Sequence, residues 1–143
     1  MSKRLDGQVA WISGGASGMG EGTAELFAQE GANVAFTDLR LDENTASLEN
    51  ELKSYGIKAK GYASDASKSA ETDEVVNSIV TDFGTIDILI NNAGITMDTL
   101  LMRMSEQQWD TVINVNLKSV FNFTKAVQKV MLKAKQGSIV NLS

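Results

Sequence analysis

The chain has 143 residues, 43% of them hydrophobic and 22% charged, which suits a single globular domain with its own core. A formal net charge of −5 argues against a general nucleic-acid binder. The absence of cysteine and histidine excludes disulfides, Cys- or His-based zinc sites and a Ser-His-Asp triad, leaving acid–base chemistry to Lys, Tyr, Asp and Glu.

Gln8 to Ser13 is a short apolar run that stops at Gly14-Gly15 and reads as a buried strand. Met19 to Glu30 has helical spacing, with Met19, Thr23 and Phe27 on one face, Ala24 and Ala28 beside them, and Gly31 as the stop. Asn33 to Thr37 is a second strand. Asp42 to Tyr55 is predicted as a helix ending at Gly56, Lys58 to Ala63 as a strand, and Ser67 to Phe83 as a helix followed by Gly84. Ile86 to Ile90 is a fourth strand that runs into Asn91-Asn92-Ala93-Gly94. Ser105 and Gln108 have the spacing of a capping box. One long helix is predicted from there towards Lys135, with Gly137 as its stop, and Ser138 to Leu142 begins a fifth strand. Apolar strands alternating with helices predict a parallel sheet covered on both faces. No linker divides residues 1–143. No apolar run approaches the roughly 20 residues of a membrane span, and Met1 to Asp6 lacks the apolar core of a secretory signal, so a cytoplasmic protein without a membrane partner is expected.

The loop Gly14-x-x-x-Gly18-x-Gly20 separates the first strand from the first helix. Free N–H groups and the positive end of a helix suit a pyrophosphate, and glycines let the backbone approach it. Asp38, at the end of the second strand, follows Gly20 at close to the ~20-residue spacing of an acidic residue that binds an adenosine ribose. A carboxylate there accepts bonds from both ribose hydroxyls and repels a 2′-phosphate, which favours NAD over NADP. Arg40, two residues on, is the group that would instead pair with such a phosphate.

Four patterns occur in order: the glycine loop, Asp65 after the third strand, Asn91-Asn92-Ala93-Gly94 after the fourth, and Asn114-Val115-Asn116-Leu117 in the long helix. Together, over the whole chain, they resemble the short-chain dehydrogenase/reductase family. The resemblance implies an α/β fold, a Rossmann-like doubly wound parallel sheet of five strands in order 3-2-1-4-5, C-terminally truncated, so that residues 1–143 form an incomplete dinucleotide-binding domain. It implies an NAD(P)-dependent oxidoreductase without a metal. The cofactor, NAD rather than NADP, would be held by Gly14, Ser17, Gly18, Met19, Gly20, Asp38, Leu39, Asp65, Ala66, Asn92, Ala93 and Gly94. Within the family, Asn92 to Thr96 followed by Leu100 to Met104 looks much like the bacterial 3-oxoacyl-acyl-carrier-protein reductases of fatty-acid synthesis. Those enzymes often carry basic residues where this chain has Ser17 and Met97, and the first difference again favours NAD. Members acting on a sugar, alcohol or steroid are the alternative.

The family's mechanism uses a tyrosine to move the substrate proton, a lysine to tune it, a serine to polarise the carbonyl and an asparagine to hold a relay water. Asn116 matches the asparagine. Aligned from Gly137, the serine falls one position after Ser143; Ser143 takes that role only if the alignment slips by one. Tyr55 and Tyr62 each lack a lysine four residues on, so no Tyr-x-x-x-Lys pair is present and this chain alone is expected to be inactive. The rival expectations are a dinucleotide-binding half-domain without catalysis and a purely structural one. Lys125, Lys129, Lys133 and Lys135 crowd the end of the long helix, where cations complement its dipole. The resemblance implies a carbonyl substrate carried on an acidic carrier protein near Lys135. It also implies a homo-oligomer, through the long helix or the free edge of the fifth strand.

Overall fold

The computed structural model describes residues 3–95 and 98–142. Five strands, β1 (Val9–Ser13), β2 (Asn33–Asp38), β3 (Ala59–Ala63), β4 (Ile88–Asn91) and β5 (Ser138–Asn141), form one parallel sheet in the order β3-β2-β1-β4-β5. The helices between them are α1 (Gly18–Gln29), α2 (Glu43–Lys53), α3 (Ser69–Phe83), α4 (Glu106–Ile113) and α5 (Ser119–Ala134), with a short 3₁₀ turn at Leu101–Arg103. This is the Rossmann-like, doubly wound arrangement that the sequence predicts.

The central strands are apolar on both faces because both faces are covered. Side chains alternate across a strand, so Ala10, Ile12, Val34, Phe36, Ile88 and Ile90 meet Ala24 and Ala28 of α1 and Leu48 and Leu52 of α2. Trp11, Ala35 and Leu89 point the other way, onto Val75, Val76 and Ile79 of α3 and Phe123, Val127 and Met131 of α5. Each fully buried Phe, Ile or Leu contributes about 1.5–3 kcal/mol by leaving water. Trp11 and Phe123 stack obliquely with ring centroids 4.8 Å apart. The buried indole N–H of Trp11 donates to Thr37 Oγ1 at 3.1 Å, which removes the cost of an unpaired donor.

Helix ends follow local chemistry. Gly31, Gly56 and Gly84 all take positive φ, at 90°, 84° and 91°, as their predicted stop positions require. Ser105 and Gln108 form the expected capping box. A second box, not read from the sequence, opens α2: the Asp42 carboxylate accepts from Thr45 N and Thr45 Oγ1 accepts from Asp42 N.

Three expectations are corrected. Most element ends move by one or two residues. The buried stripe of α1 is Gly20, Ala24 and Ala28, whereas Met19 is 72% exposed, because the start of the helix packs tightly enough on the glycine loop to admit only a glycine. The long helix is not uniform: Asn114–Lys118 forms a π-helical turn between α4 and α5, and α5 ends at Lys135 in the left-handed conformation (φ 60°), ahead of Gly137. All of β5 is exposed, although it is fully paired to β4 on one edge.

Candidate functional site

In an open parallel sheet the ligand crevice lies outside the carboxyl ends of the strands, where the winding direction reverses. A cleft of about 620 Å³ occupies that place, lined by the ends of β1 to β4 and by Thr111, Val115 and Phe123. Of the sequence-predicted cofactor residues, Gly14, Ser17, Met19, Asp38, Leu39, Asp65, Ala66, Asn92, Ala93 and Gly94 line it; Gly18 and Gly20 shape the loop without lining it.

The loop after β1 is stitched to the loop after β4. Ser13 Oγ accepts hydrogen bonds from Asn92 N and Ala93 N, both at 3.0 Å, and donates to Ile90 O at 3.3 Å. Asn92 Nδ2 donates to Gly14 O at 3.1 Å. Gly14 adopts φ 65°, and a Cβ there would lie 3.0 Å from Ala93 Cα. A Cβ on Gly20 would overlap Gly14 O and lie 2.6 Å from Asn92 Nδ2. The side chain of Ser17 does not cap α1, and the first amide turned back into the helix is that of Glu21, which donates to Ser17 O at 3.3 Å. The amides ahead of it are the usual open donors of a helix start.

Two carboxylates mark the far wall. Asp38 accepts from Leu39 N at 2.9 Å and from Ala16 N at 3.4 Å, which fixes the carboxylate at the end of β2 and leaves it further acceptor capacity. Asp65 accepts from both Ser67 Oγ, at 2.6 Å, and Ser67 N, at 3.0 Å. The Ser67 hydroxyl holds the Asp65 carboxyl below the usual carboxylate range. The next residue, Ala66, is anchored by the buried Asn122 of α5, whose Nδ2 donates to Ala66 O at 3.0 Å.

Asn116 sits in the π turn and clamps the backbone of Ile95 from both sides. Its Oδ1 accepts from Ile95 N at 2.7 Å and its Nδ2 donates to Ile95 O at 2.8 Å. The π turn thereby carries Val115 to the cleft wall, a placement in keeping with the functional use of such turns.

Neither tyrosine lines the cleft. The Tyr62 hydroxyl donates to Asp82 Oδ2 at 2.6 Å, where Lys60 Nζ also lies at 2.9 Å. Burial, then this bond, pushes the phenol above its ordinary range. Tyr55 OH accepts from Gln29 Nε2 at 3.3 Å. Lys135 caps α5 just before β5 begins, at the opposite end of the sheet from the cleft. Thr96, Met97 and Ser143, all singled out in the sequence, lie outside the described residues. No helix among the described residues is long and apolar enough to cross a membrane.

Sequence reasoning missed Ser13, Thr37, Ser64, Ser67 and Ile95. Ser13 carried a signal: it is a polar residue in an apolar strand, directly before the glycine loop. The other four had none, because their roles depend on which chain segments meet.

A profile of the short chain dehydrogenase family matches residues 8–143. The chain is 49% identical over 140 residues to a 3-oxoacyl-acyl-carrier-protein reductase of Thermotoga maritima, covering 98% of this chain and 56% of that protein. It is 40% identical over 143 residues to the protein of the same name from Chlamydia muridarum, covering 100% of this chain and 58% of that one. A crystal structure of NAD+-bound xylitol dehydrogenase matches with a TM-score of 0.92 at 30% identity, covering 97% of this chain and 54% of that chain. The chain therefore spans a little over half the length of the curated relatives it matches.

Proposed function

Because the chain belongs to the short-chain dehydrogenase family, we propose that its cleft binds a nicotinamide dinucleotide and that it serves as the cofactor-binding part of a 3-oxoacyl-acyl-carrier-protein reductase. The observation that carries this reading is the cleft itself, which gathers the uncapped start of α1, Asp38 and Asp65. The groups fit the ligand. The open amides at the start of α1 and the glycines of the loop before it suit a pyrophosphate. A half-buried carboxylate at Asp38 with spare acceptor capacity suits the hydroxyls of an unphosphorylated ribose, so NAD is preferred to NADP. Asp65, ionised and pinned by Ser67, is an acceptor for the exocyclic amine of a base.

The nicotinamide supplies the hydride when bound. The chain's own residues bind and orient it: Gly14, Ser17, Gly18, Met19 and Gly20 at the phosphates, Asp38 and Leu39 at the ribose, Asp65 and Ala66 at the base, and Asn92, Ala93 and Gly94 along the inner wall. Both polar ends of the Asn116 side chain are engaged by Ile95. Each end of that amide keeps one further hydrogen or lone pair with which a relay water could be held.

A carbonyl on a carrier-bound thioester is the proposed hydride acceptor. The lysines towards the end of α5 suit an acidic carrier, and Lys135 among them lies at the end of the sheet away from the cleft. Exposed Leu117, Phe121 and Leu132 on α5 and the π turn before it support association with a second copy. A second reading, dinucleotide binding without turnover by residues 1–143 alone, is favoured by one observation: no tyrosine or lysine lines the cleft among the described residues.

Calorimetric titration with NADH and NADPH, beside an acetoacetyl-thioester assay, tests these readings. Tighter binding of NADH supports the cofactor site. No binding of either nucleotide overturns it, and turnover by this polypeptide overturns the second reading.

A further inference from the structure

The chain contains no cysteine, so methionine thioethers are the sulfur that an oxidant meets. The methionines among the described residues differ in access. Met131 is buried in the core beside Val127 and Phe123, Met104 is half-buried, and Met19 and Met102 are 72% and 92% exposed. Of the described methionines, only Met19 lines the cleft. It is the second residue of α1 and lies off the buried stripe of Gly20, Ala24 and Ala28. Side chains of a helix lean back towards its N-terminus. That direction takes the Met19 thioether towards the glycine loop and the amides that the Ser17 side chain leaves uncapped.

We infer that Met19 is an oxidation site whose state controls dinucleotide binding, and that a bound dinucleotide shields it in turn. This rests on the proposed cofactor site and adds a redox control to it. With hydrogen peroxide as the oxidant, a sulfur lone pair attacks one peroxide oxygen. The O–O bond breaks and an S–O bond forms; sulfur gives up two electrons, and the second oxygen leaves as water with both protons. The product replaces an apolar thioether by a polar sulfoxide. Its oxygen carries partial negative charge. At the start of α1 that oxygen competes for the open amides and repels the phosphates they would bind. The relation runs both ways, because a dinucleotide seated on the loop covers the sulfur for as long as it is bound.

The test treats the full chain and M19L with hydrogen peroxide, with and without NAD+, and reads sulfoxide at Met19 and Met102 by peptide mass mapping. Calorimetric titration with NAD+ is made before and after treatment. Met102, in the 3₁₀ turn and outside the cleft, is the internal reference. Without ligand, both methionines are expected to oxidise. NAD+ at about ten times its Kd is expected to slow oxidation of Met19 roughly tenfold, the ratio of total to free protein, and to leave Met102 unchanged. The oxidised parent is expected to bind NAD+ roughly three- to tenfold more weakly, the cost of about one unfavourable polar contact. Methionine sulfoxide reductases are expected to restore the affinity. M19L is expected to bind NAD+ equally before and after peroxide, whatever its starting affinity. A Met19 that stays reduced while Met102 oxidises overturns this inference. So does an oxidised parent of full affinity, a loss that the reductases do not reverse, or an equal loss in M19L. NAD+ that binds without shielding Met19 overturns it too and leaves the cofactor site standing. A parent that binds no dinucleotide overturns both.

Discussion

Asn116 and Ile95 are joined by a reciprocal pair of hydrogen bonds, in which the side-chain amide of one reads both polar groups of the other's backbone at 2.7 and 2.8 Å. The pair ties the π turn between α4 and α5 to the strand-end loop that walls the cleft. Asn116→Ala removes both bonds. Each is worth about 0.5–1.5 kcal/mol net, and solvent can replace part of them, so the variant is expected to lose about 1–2 kcal/mol of unfolding free energy. Amide hydrogen exchange at Ile95 is expected to accelerate while that of Leu89, in the buried strand, follows only the global change. Unaltered protection at Ile95 would show that the clamp does not hold the loop in solution.

Asp38 and Asp65 are the carboxylates that line the cleft among the described residues, and Asp38 stands at the end of β2. Replacing Asp38 by alanine removes charge-assisted bonds to a ribose, worth about 1.5–3 kcal/mol. NADH affinity is expected to fall about tenfold or more, and the ratio of NADPH to NADH affinity to rise as the repulsion of a 2′-phosphate is lost. Parallel titrations of parent and variant measure both. An unchanged ratio would assign the selectivity elsewhere.

Gly18 and Gly20 lie two residues apart and are expected to respond differently. Gly18 has φ 58°, and a Cβ added there would meet nothing within 4 Å, so Gly18→Ala costs backbone strain alone, about 1–2 kcal/mol. Gly20→Ala drives a methyl into Gly14 O and Asn92 Nδ2, adding overpacking of about 1–3 kcal/mol and the loss of the bond between those groups. Urea unfolding is expected to rank Gly20→Ala as the more damaging. The reverse order would mean that the two loops are not in contact as described.

The Asp65–Ser67 pair has a pH signature. Hydrogen bonding from Ser67 lowers the folded-state pKa of Asp65, so its contribution to stability is present above the unfolded value of ~3.9 and lost as pH falls through the lower folded value. Ser67→Ala returns the carboxyl towards its ordinary range. The parent is therefore expected to be more stable than the variant above about pH 5, with the gap narrowing below about pH 4. Unfolding free energies across that range check the sign, and a gap independent of pH would count against the pair.

Much of the fold was legible because its signals are local. Gly31, Gly56 and Gly84 end helices through their own backbone freedom, and Ser105 with Gln108 caps α4 through a four-residue geometry. The apolar runs of β1, β2 and β4 announce a sheet covered on both faces. The site was half legible for the same reason: the glycine loop and Asp38 have a spacing that can be counted along the chain. Met19 was misplaced because periodicity alone cannot distinguish a stripe of large residues from the adjacent stripe of glycine and alanine, when the partner is a backbone loop that admits no side chain.

What the sequence by itself determined is the alternation of strands and helices and the loop that opens α1, since these follow from periodicity and glycine placement, while the strand order was implied by the family resemblance. Only the tertiary structure decided that Ser13 joins the first and fourth strand ends and that Asn116 closes on Ile95 through a π turn. Those relationships span dozens of residues, and a hydrogen bond across such a distance exists only once packing of the sheet and its helices has brought its two ends within about 3 Å.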